Sequence, residues 1–314
     1  MPGSPAAAWR HRVAIGVCAV IVLASMPWTR AHDMATSGTL SRIRDAGRIK
    51  FGYRVDARPF SYKNDSGQAA GYSAALCLKV ADGVKADLHL PNLSVEWVPV
   101  GLEDRFRAVQ QGQIDLLCGA DTTTLRRRGD VSFSIPIFPG GIGALTRADA
   151  PIRLRNVLAG RGQTFHPSWR ASAAQALQSK AFTAVAGTTT EQWLSDRVKE
   201  LQVIADVSTV SSYAAGISQL LDRRSDVLFG ERAILIDAAR HHPAARDLAV
   251  VDRLFTYEPL AFAVARGDED FRLAVDRALS RFYRSGGIAR VYTDAFGEPD
   301  ENVITFFRWN ALPE

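Results

Sequence analysis

The chain has 314 residues, of which 47% are hydrophobic and 23% charged, with a formal net charge of +5. This length is enough to bury a substantial core and to form two lobes. The basic excess does not indicate a nucleic-acid-binding protein, because no basic stripe is interleaved with aromatic residues. Arg126–Arg128 is the only arginine triplet, and a run this short is typical of a solvated helix face.

The first 31 residues have the pattern of an export signal. Arg10 and Arg12 provide a positive start, residues 13–24 form an apolar run, and Thr29 and Ala31 place small side chains where a signal peptidase cleaves. This run is too short to cross a bilayer of about 30 Å, which favours a cleaved signal over a retained anchor. We therefore expect an exported, soluble protein, cleaved near Ala31, with a mature charge close to +2 because 35 basic residues then face 33 acidic ones.

Cleavage would leave two cysteines, Cys77 and Cys118, in an oxidising compartment. Their spacing resembles neither a metal-ligand cluster nor a CxxC pair. We expect a disulfide that closes a loop of about 40 residues. Two buried free thiols are the alternative, because a sequence does not supply the separation of the two Cα atoms.

Short apolar runs alternate with helical patterns along the chain, which predicts βα units and a mostly parallel sheet. The first series contains the strands Ile49–Tyr53, Val95–Val100, Ile114–Cys118 and Ile142–Thr146 and the helices Ser73–Ala81, Glu103–Gln110 and Leu125–Gly129. The second series contains the strands Phe182–Ala186, Leu201–Ala205 and Asp226–Phe229 and the helices Thr190–Lys199, Tyr213–Asp222 and Arg232–Arg240. The predicted end comprises the strand Leu260–Ala265 and the helices Asp268–Ser285 and Ile288–Phe296. Residues 161–180, between the two series, are predicted to form an inserted excursion.

Several motifs follow one another in an order that resembles the family-3 extracellular solute-binding proteins, the periplasmic receptors of polar amino acid transporters. The resemblance extends from about Leu40 to Gly297. It is closest to the glutamate/aspartate-binding branch, because of the Gly-x-Arg motif that ends at Arg54 and a Cys-Gly-Ala step. The motifs are Gly52–Arg54, Pro59–Tyr62, Gly71–Ser73, Gly112–Leu116, Cys118–Ala120, Arg127 ahead of Val131–Ser134, Gly187–Glu191, Asp226–Glu231 and Ser285–Ala289.

This resemblance implies a type II periplasmic-binding fold of two α/β lobes, with mostly parallel sheets and two crossing hinge strands. Residues 40–146 and 257–297 would form the first lobe, residues 147–256 an inserted second lobe, and residues 298–314 a C-terminal tail. The ligand would lie between the lobes, which close by a hinge motion. The implied partner is the membrane permease of an ABC transporter, and the implied state is a periplasmic monomer without cofactor, metal or nucleic acid.

The resemblance also implies roles for individual residues. Arg127 would hold the α-carboxylate of an amino acid in a bidentate fork, beside the hydroxyl and backbone N–H of Thr122. Arg54 and Arg105 would bind a second carboxylate, although solvated charges at the rim are the alternative. The complete implied ligand set is Arg54, Arg105, Ala120, Thr122, Arg127, Thr188, Thr189 and Glu231.

Gly187–Thr190 lies at a predicted strand-to-helix turn, where free N–H groups and hydroxyls favour an anion. The alternative is simple capping of the helix by Thr189 or Thr190. Glu231, at the end of a predicted strand, stands where the family uses a carboxylate, usually aspartate, to hold the α-ammonium group.

Charge counting favours an acidic amino acid, because three arginines face Glu231 and Asp121 and leave one positive charge for the ligand to neutralise. Departures from the branch at Leu102, Ala120, Asp121 and Tyr213 leave open another dicarboxylate or a neutral amino acid. We expect a binding protein and not an enzyme. A cyclohexadienyl dehydratase with Glu231 as its acid/base group, or a ligand-sensing subunit, are the alternatives.

Overall fold

The computed structural model describes residues 38–161 and 175–314. The expected signal peptide and residues 162–174 of the expected excursion lie outside the described residues. Within the described ranges, no helix combines the length and the apolar character needed to cross a membrane.

Helices and short strands alternate along the chain, so the predicted α/β fold is confirmed. Mostly parallel sheets were expected, whereas the two larger sheets contain four parallel and four antiparallel strand pairs. The strands are β1 (Arg48–Tyr53), β2 (Asp56–Ala57), β3 (Ser61–Lys63), β4 (Ala69–Ala70), β5 (Ser94–Pro99), β6 (Leu116–Cys118), β7 (Val131–Phe133), β8 (Phe138–Gly140), β9 (Ile142–Arg147), β10 (Ala181–Val185), β11 (Asp206–Val210), β12 (Val227–Glu231), β13 (Leu248–Val250), β14 (Glu258–Leu260) and β15 (Ala263–Ala265). The α-helices are α1 (Thr39–Ala46), α2 (Tyr72–Asp87), α3 (Arg105–Gln110), α4 (Ile152–Leu158), α5 (Thr189–Glu200), α6 (Tyr213–Leu221), α7 (Arg232–His241), α8 (Glu269–Arg284), α9 (Gly287–Phe296) and α10 (Glu301–Asn310). Arg127–Gly129 and Ala245–Asp247 form single 3₁₀ turns.

The first five-stranded sheet has the order β5-β1-β6-β15-β7. Strand β1 runs parallel to β5 and β6, whereas β15 runs antiparallel to β6 and β7. Helices α2 and α8 pack together against this sheet, and the predicted apolar stripe of α8 is buried at Phe271, Val275 and Leu279. This burial fits a helix whose apolar side chains recur every three or four residues.

The second five-stranded sheet has the order β11-β10-β12-β9-β13. Strand β10 runs parallel to β11 and β12, and β9 runs antiparallel to β12 and β13. The segment Ile142–Thr146, which the sequence analysis assigned to the first lobe, therefore pairs in the second sheet. Residues 142–146 are all buried, as expected for a strand with a neighbour on each side.

Strands β8 and β14 form a two-stranded antiparallel sheet between the two larger sheets. Strand β8 connects β7 of the first sheet to β9 of the second, and β14 connects β13 of the second sheet to β15 of the first. The chain thus crosses between the sheets twice, through two strands that pair with each other. Side chains that follow the sheet strands near this crossing are brought together from distant parts of the sequence.

The disulfide between Cys77 and Cys118 is present, which confirms the prediction. It joins α2 to β6, with the two Cα atoms 6.2 Å apart and a sequence separation of 41 between the cysteines. Both side chains are completely buried. The bond fixes the end of β6, from which the chain continues directly into Gly119 and Ala120.

The prediction of a strand at Leu201–Ala205 is wrong. The end of α5 continues in helical bonds there, since Leu201 N donates to Arg197 O and Val203 N donates to Val198 O. Val203 is buried and anchors this turn. The strand of this region is β11, which lies at the edge of the sheet and pairs only with β10.

Candidate functional site

A cavity lies where the two sheets meet the crossing strands. All eight residues that the sequence analysis proposed as ligand contacts line it. They come from loops and helix starts beyond the ends of strands of both sheets, the usual place for a site in open α/β sheets. The cavity is lined by Arg54, Asp56, Ala57, Leu102, Arg105, Ala120, Asp121, Thr122, Arg127, Ile142, Val185, Thr188, Thr189, Thr190, Ser212, Tyr213, Glu231, Ile234 and Glu258.

Arg127 begins a single 3₁₀ turn and points into the cavity, whereas its neighbours Arg126 and Arg128 are exposed. Its Nη1 donates to Thr122 O at 2.9 Å, and its guanidinium lies 5.2 Å from the centre of the Phe106 ring. Burial lowers the pKa of Arg127, an effect that nearby carboxylates partly oppose. Arg127 therefore presents a fixed, partly desolvated cation with further N–H donors available.

Arg105 is the first residue of α3 and is 5% exposed, so the alternative of a solvated rim charge is wrong. Its Nε donates to Asp121 Oδ1 at 2.5 Å, and its Nη1 donates to Leu102 O. The second oxygen of Asp121, Oδ2, is buried and has no hydrogen-bond partner among the described residues. Sequence reasoning treated Asp121 as a departure from the family, but did not foresee that it neutralises Arg105.

Arg54, immediately after β1, has an 11% exposed side chain. Both its Nε and its Nη2 donate to Asp56 Oδ1, at 2.9 and 2.6 Å. Sequence reasoning missed Asp56, although a carboxylate two residues from an arginine on a short strand is a signal that could have been used. Arg54 is therefore fixed by a carboxylate of its own chain.

Glu231 ends β12 and caps α7. Its Oε2 accepts from Gly141 N at 2.9 Å and its Oε1 accepts from Ala233 N at 3.3 Å. Burial raises the pKa of Glu231 to about 8, even though these two bonds favour the charged form. Its backbone N–H donates to the hydroxyl of Tyr213 at 3.3 Å.

The turn before α5 begins with Gly187, whose φ of +74° is the left-handed conformation that glycine adopts most easily. Thr188 caps the helix, because its hydroxyl accepts from Glu191 N at 3.4 Å and donates to Val185 O at 2.7 Å. Capping by Thr189 or Thr190 is therefore wrong, since the helix begins one residue earlier than predicted. The helix itself supplies no acceptor for the N–H groups of Thr189 and Thr190.

Glu258, the first residue of β14, is a cavity residue that sequence reasoning missed. Its Oε2 accepts from Thr122 Oγ1 at 3.0 Å and from Thr189 Oγ1 at 2.7 Å, while its Oε1 accepts from Thr256 Oγ1 at 3.0 Å. Thr122 follows a strand of the first sheet and Thr189 a strand of the second. Glu258 thus holds hydroxyls from both sides of the cavity.

The charge of the cavity differs from the count made from the sequence. Along the described lining, three guanidinium groups face four carboxyl groups, because Asp56 and Glu258 join Asp121 and Glu231. Arg54 and Arg105 each have a carboxylate partner within the protein. The surplus of one positive charge that favoured an acidic ligand is therefore absent from this arrangement.

The family model "Bacterial extracellular solute-binding proteins, family 3" matches residues 49–298. An L-glutamate/L-aspartate-binding protein of Pseudomonas aeruginosa is 27% identical over 289 residues, which cover 92% of this chain and 89% of the relative. A glutamate/aspartate import solute-binding protein of Escherichia coli is 22% identical over 290 residues, again 92% and 89% of the two chains. An L-cystine-binding protein of the same species is 24% identical over 285 residues, 90% of this chain and 94% of the relative.

Solved structures show the same two-lobed fold. An ancestral amino acid-binding protein, described as a precursor of cyclohexadienyl dehydratase, superposes with a TM-score of 0.67 at 25% identity, covering 82% of this chain and all of the other. The cysteine-binding protein of Campylobacter jejuni gives a TM-score of 0.66 at 19% identity, covering 84% and 96% of the two chains. The expected type II arrangement of two lobes is thereby confirmed.

Proposed function

Because this chain belongs to the bacterial extracellular solute-binding proteins of family 3, we propose that it captures a polar amino acid between its lobes and delivers it to the membrane permease of an ABC transporter. The observation that carries the proposal is the convergence of all eight expected contact residues, from both sheets, on one cavity. The named relatives are binding proteins of amino acid transport, and this chain is likewise a binding protein and not an enzyme. We propose that it acts as a periplasmic monomer after cleavage near Ala31.

The α-carboxylate of the ligand pairs with Arg127. A guanidinium carries five N–H donors in a planar fork, and the bond from Nη1 to Thr122 O leaves enough of them for two carboxylate oxygens. The N–H groups of Thr189 and Thr190, at the positive end of α5, supply further donors from the opposite lobe. A carboxylate held from both lobes favours the closed form of the protein.

Glutamate and aspartate are the first candidates for the ligand. Arg54 and Arg105 use only part of their donors on Asp56 and Asp121, so each retains N–H groups for a second carboxylate. Two relatives that align with most of this chain are named as glutamate/aspartate-binding proteins. These two observations support an acidic side chain.

A neutral amide such as glutamine is the second candidate, and the charge of the cavity favours it. The carboxyl groups of the lining already match or outnumber the guanidinium groups, so an acidic ligand adds a negative charge that the cavity does not need. A relative from Bacillus subtilis that is 25% identical is named as a glutamine-binding protein. The two candidates differ by one charge and are therefore easy to separate by titration.

Isothermal titration with a panel of the twenty amino acids tests this function. We expect a dissociation constant near 1 μM for glutamate, aspartate or an amide, about −8 kcal/mol. Arg127→Ala should weaken this binding by about 2–4 kcal/mol, because it leaves a carboxylate unpaired in a closed cavity. Arg126→Ala, a change at the exposed neighbour, is the matched control and should bind like the natural protein. If no amino acid binds at millimolar concentration, the proposal is wrong.

A further inference from the structure

Three threonine hydroxyls surround Glu258, and each hydroxyl donates its single O–H to this carboxylate. Thr122 and Thr189 both donate to Oε2, and Thr256 donates to Oε1. A threonine hydroxyl that donates its proton keeps only lone pairs for other partners. Toward the cavity, Glu258 and the oxygens of Thr122 and Thr189 therefore form a patch of acceptors without donors.

The other carboxyl groups of the cavity already have strong partners. Asp56 pairs with Arg54, and Asp121 pairs with Arg105 through Oδ1, although Asp121 Oδ2 has no hydrogen-bond partner among the described residues. The two oxygens of Glu231 each accept a backbone N–H, and its high pKa, caused by burial, leaves much of it uncharged at neutral pH.

The hydrogen bonds of Glu258, in contrast, come from neutral hydroxyls in the described part of the chain. Its charge is thus not matched by an ion pair of less than 4 Å within those residues. An anion that the protein does not pair is a favourable neighbour for a cation brought by a ligand.

Thr122 links this patch to the site of the α-carboxylate. Its carbonyl oxygen accepts from Arg127 Nη1 and its hydroxyl donates to Glu258, so one residue contacts the guanidinium and the carboxylate at the same time. The two charged groups of an α-amino acid are likewise attached to a single carbon atom. The protein therefore offers a cation and an anion at neighbouring points of one cavity.

We propose that Glu258, together with the hydroxyl oxygens of Thr122 and Thr189, binds the α-ammonium group of the ligand. This inference rests on the amino-acid-binding function proposed above and replaces Glu231, the residue that the family resemblance favoured. An ammonium group has three donors and no acceptor. The patch offers oxygen acceptors from three residues and no donor. Because Thr122 and Thr189 lie on opposite sides of the cavity, the ammonium group also joins the two lobes.

Glu258→Gln tests the assignment, because it removes the charge and adds two donors in the same volume. The probes are L-glutamate and L-glutamine against glutarate, which lacks the ammonium group. In the natural protein we expect the amino acids to bind at least about 30-fold more tightly than glutarate. Glu258→Gln should reduce this preference to within a few fold, and thermal unfolding of the variant without ligand reports whether it is folded.

Glu231→Gln is the comparison that decides between the two carboxyl groups. If Glu231→Gln abolishes the preference and Glu258→Gln preserves it, the inference is overturned while the proposed function stands. If no amino acid of the panel binds to the natural protein, the inference and the proposed function both fail.

A structure of the natural protein with the tightest amino acid of the panel gives a second measurement, should Glu258→Gln fail to fold. An α-nitrogen of the ligand within 3.2 Å of a Glu258 oxygen supports the inference. An α-nitrogen that contacts Glu231 and not Glu258 contradicts it.

Discussion

At the scale of single residues, the environment of Glu231 makes stability depend on pH. Burial raises the pKa of this carboxyl group from 4.5 to about 8. The folded protein therefore holds the proton more tightly than the unfolded chain does. The stabilisation that results is complete below about pH 4.5 and is lost as the pH rises through about 8.

We expect the free energy of unfolding in urea to fall between pH 5 and pH 8.5, and to fall less steeply in Glu231→Gln. Part of the slope should remain in the variant, because burial also raises the pKa of Asp115 and of Asp276. Urea titrations at four pH values measure both slopes. Equal slopes in the two proteins would show that Glu231 titrates normally in the folded state.

The arginines of the site were predictable from the sequence, but Glu258 was not. Arg54 and Arg127 belong to short motifs that occur in the order typical of the family. A motif of neighbouring residues can be recognised in a single sequence. Glu258 contacts Thr122 across 136 residues, and no local pattern marks such a pair. The charge count omitted Glu258 for this reason, and it also omitted Asp56, which stands only two residues from Arg54.

At the scale of elements, two helices near the C-terminus, α8 and α10, test what a cap contributes. Asp268 caps α8 by accepting from Phe271 N, and its other oxygen accepts from Thr39 N at 2.8 Å. Asp300 caps α10 by accepting from Val303 N at 2.9 Å, and its side chain is exposed. Asp268 thus supports both its own helix and α1.

We expect Asp268→Ala to lower the free energy of unfolding by about 2 kcal/mol and Asp300→Ala by about 1 kcal/mol or less. The two changes remove the same cap chemistry, so their difference measures the bond to α1. Urea unfolding monitored by circular dichroism gives both values. Equal losses would mean that the bond to Thr39 N contributes nothing.

Element boundaries followed the sequence where side-chain period and capping agreed. The predicted helix Asp268–Ser285 differs from α8 by one residue at each end, because its apolar stripe is regular and an aspartate precedes it. The strand prediction at Leu201–Ala205 was wrong because an apolar run of this length also fits the end of a helix that buries one residue. Val203 supplies that burial, and the hydrogen bonds of α5 extend through it.

At the scale of the whole molecule, the disulfide links α2 to β6, two elements that are far apart in sequence. Cys77→Ala combined with Cys118→Ala should cost about 4 kcal/mol, because the unfolded chain regains the freedom of a loop of 41 residues. Urea unfolding with and without dithiothreitol measures this loss. The reductant should destabilise the natural protein and leave the double variant unchanged. This account would be contradicted if dithiothreitol left the free energy of unfolding of the natural protein unchanged.

Alternation of strand and helix patterns predicted βα units, and the family resemblance implied two α/β lobes, but neither showed how β9 pairs. A buried strand at the end of one series and the start of the next has the same composition in either sheet. Only its antiparallel pairing with β12 and β13 places it in the second sheet. Long-range pairing of this kind depends on tertiary packing that a local pattern does not contain.

Among the residues that the structure describes, strand β7 joins the first sheet only through β15, which comes more than 125 residues later in the chain. A polypeptide that emerges from the ribosome with its amino end first therefore cannot complete this sheet until nearly all of it has been made. Until β15 has been made, the position between β6 and β7 in this sheet stays empty. Under the export proposed above, this late completion keeps the chain unfolded while it is translocated, because pairing between distant strands is a slow step of folding.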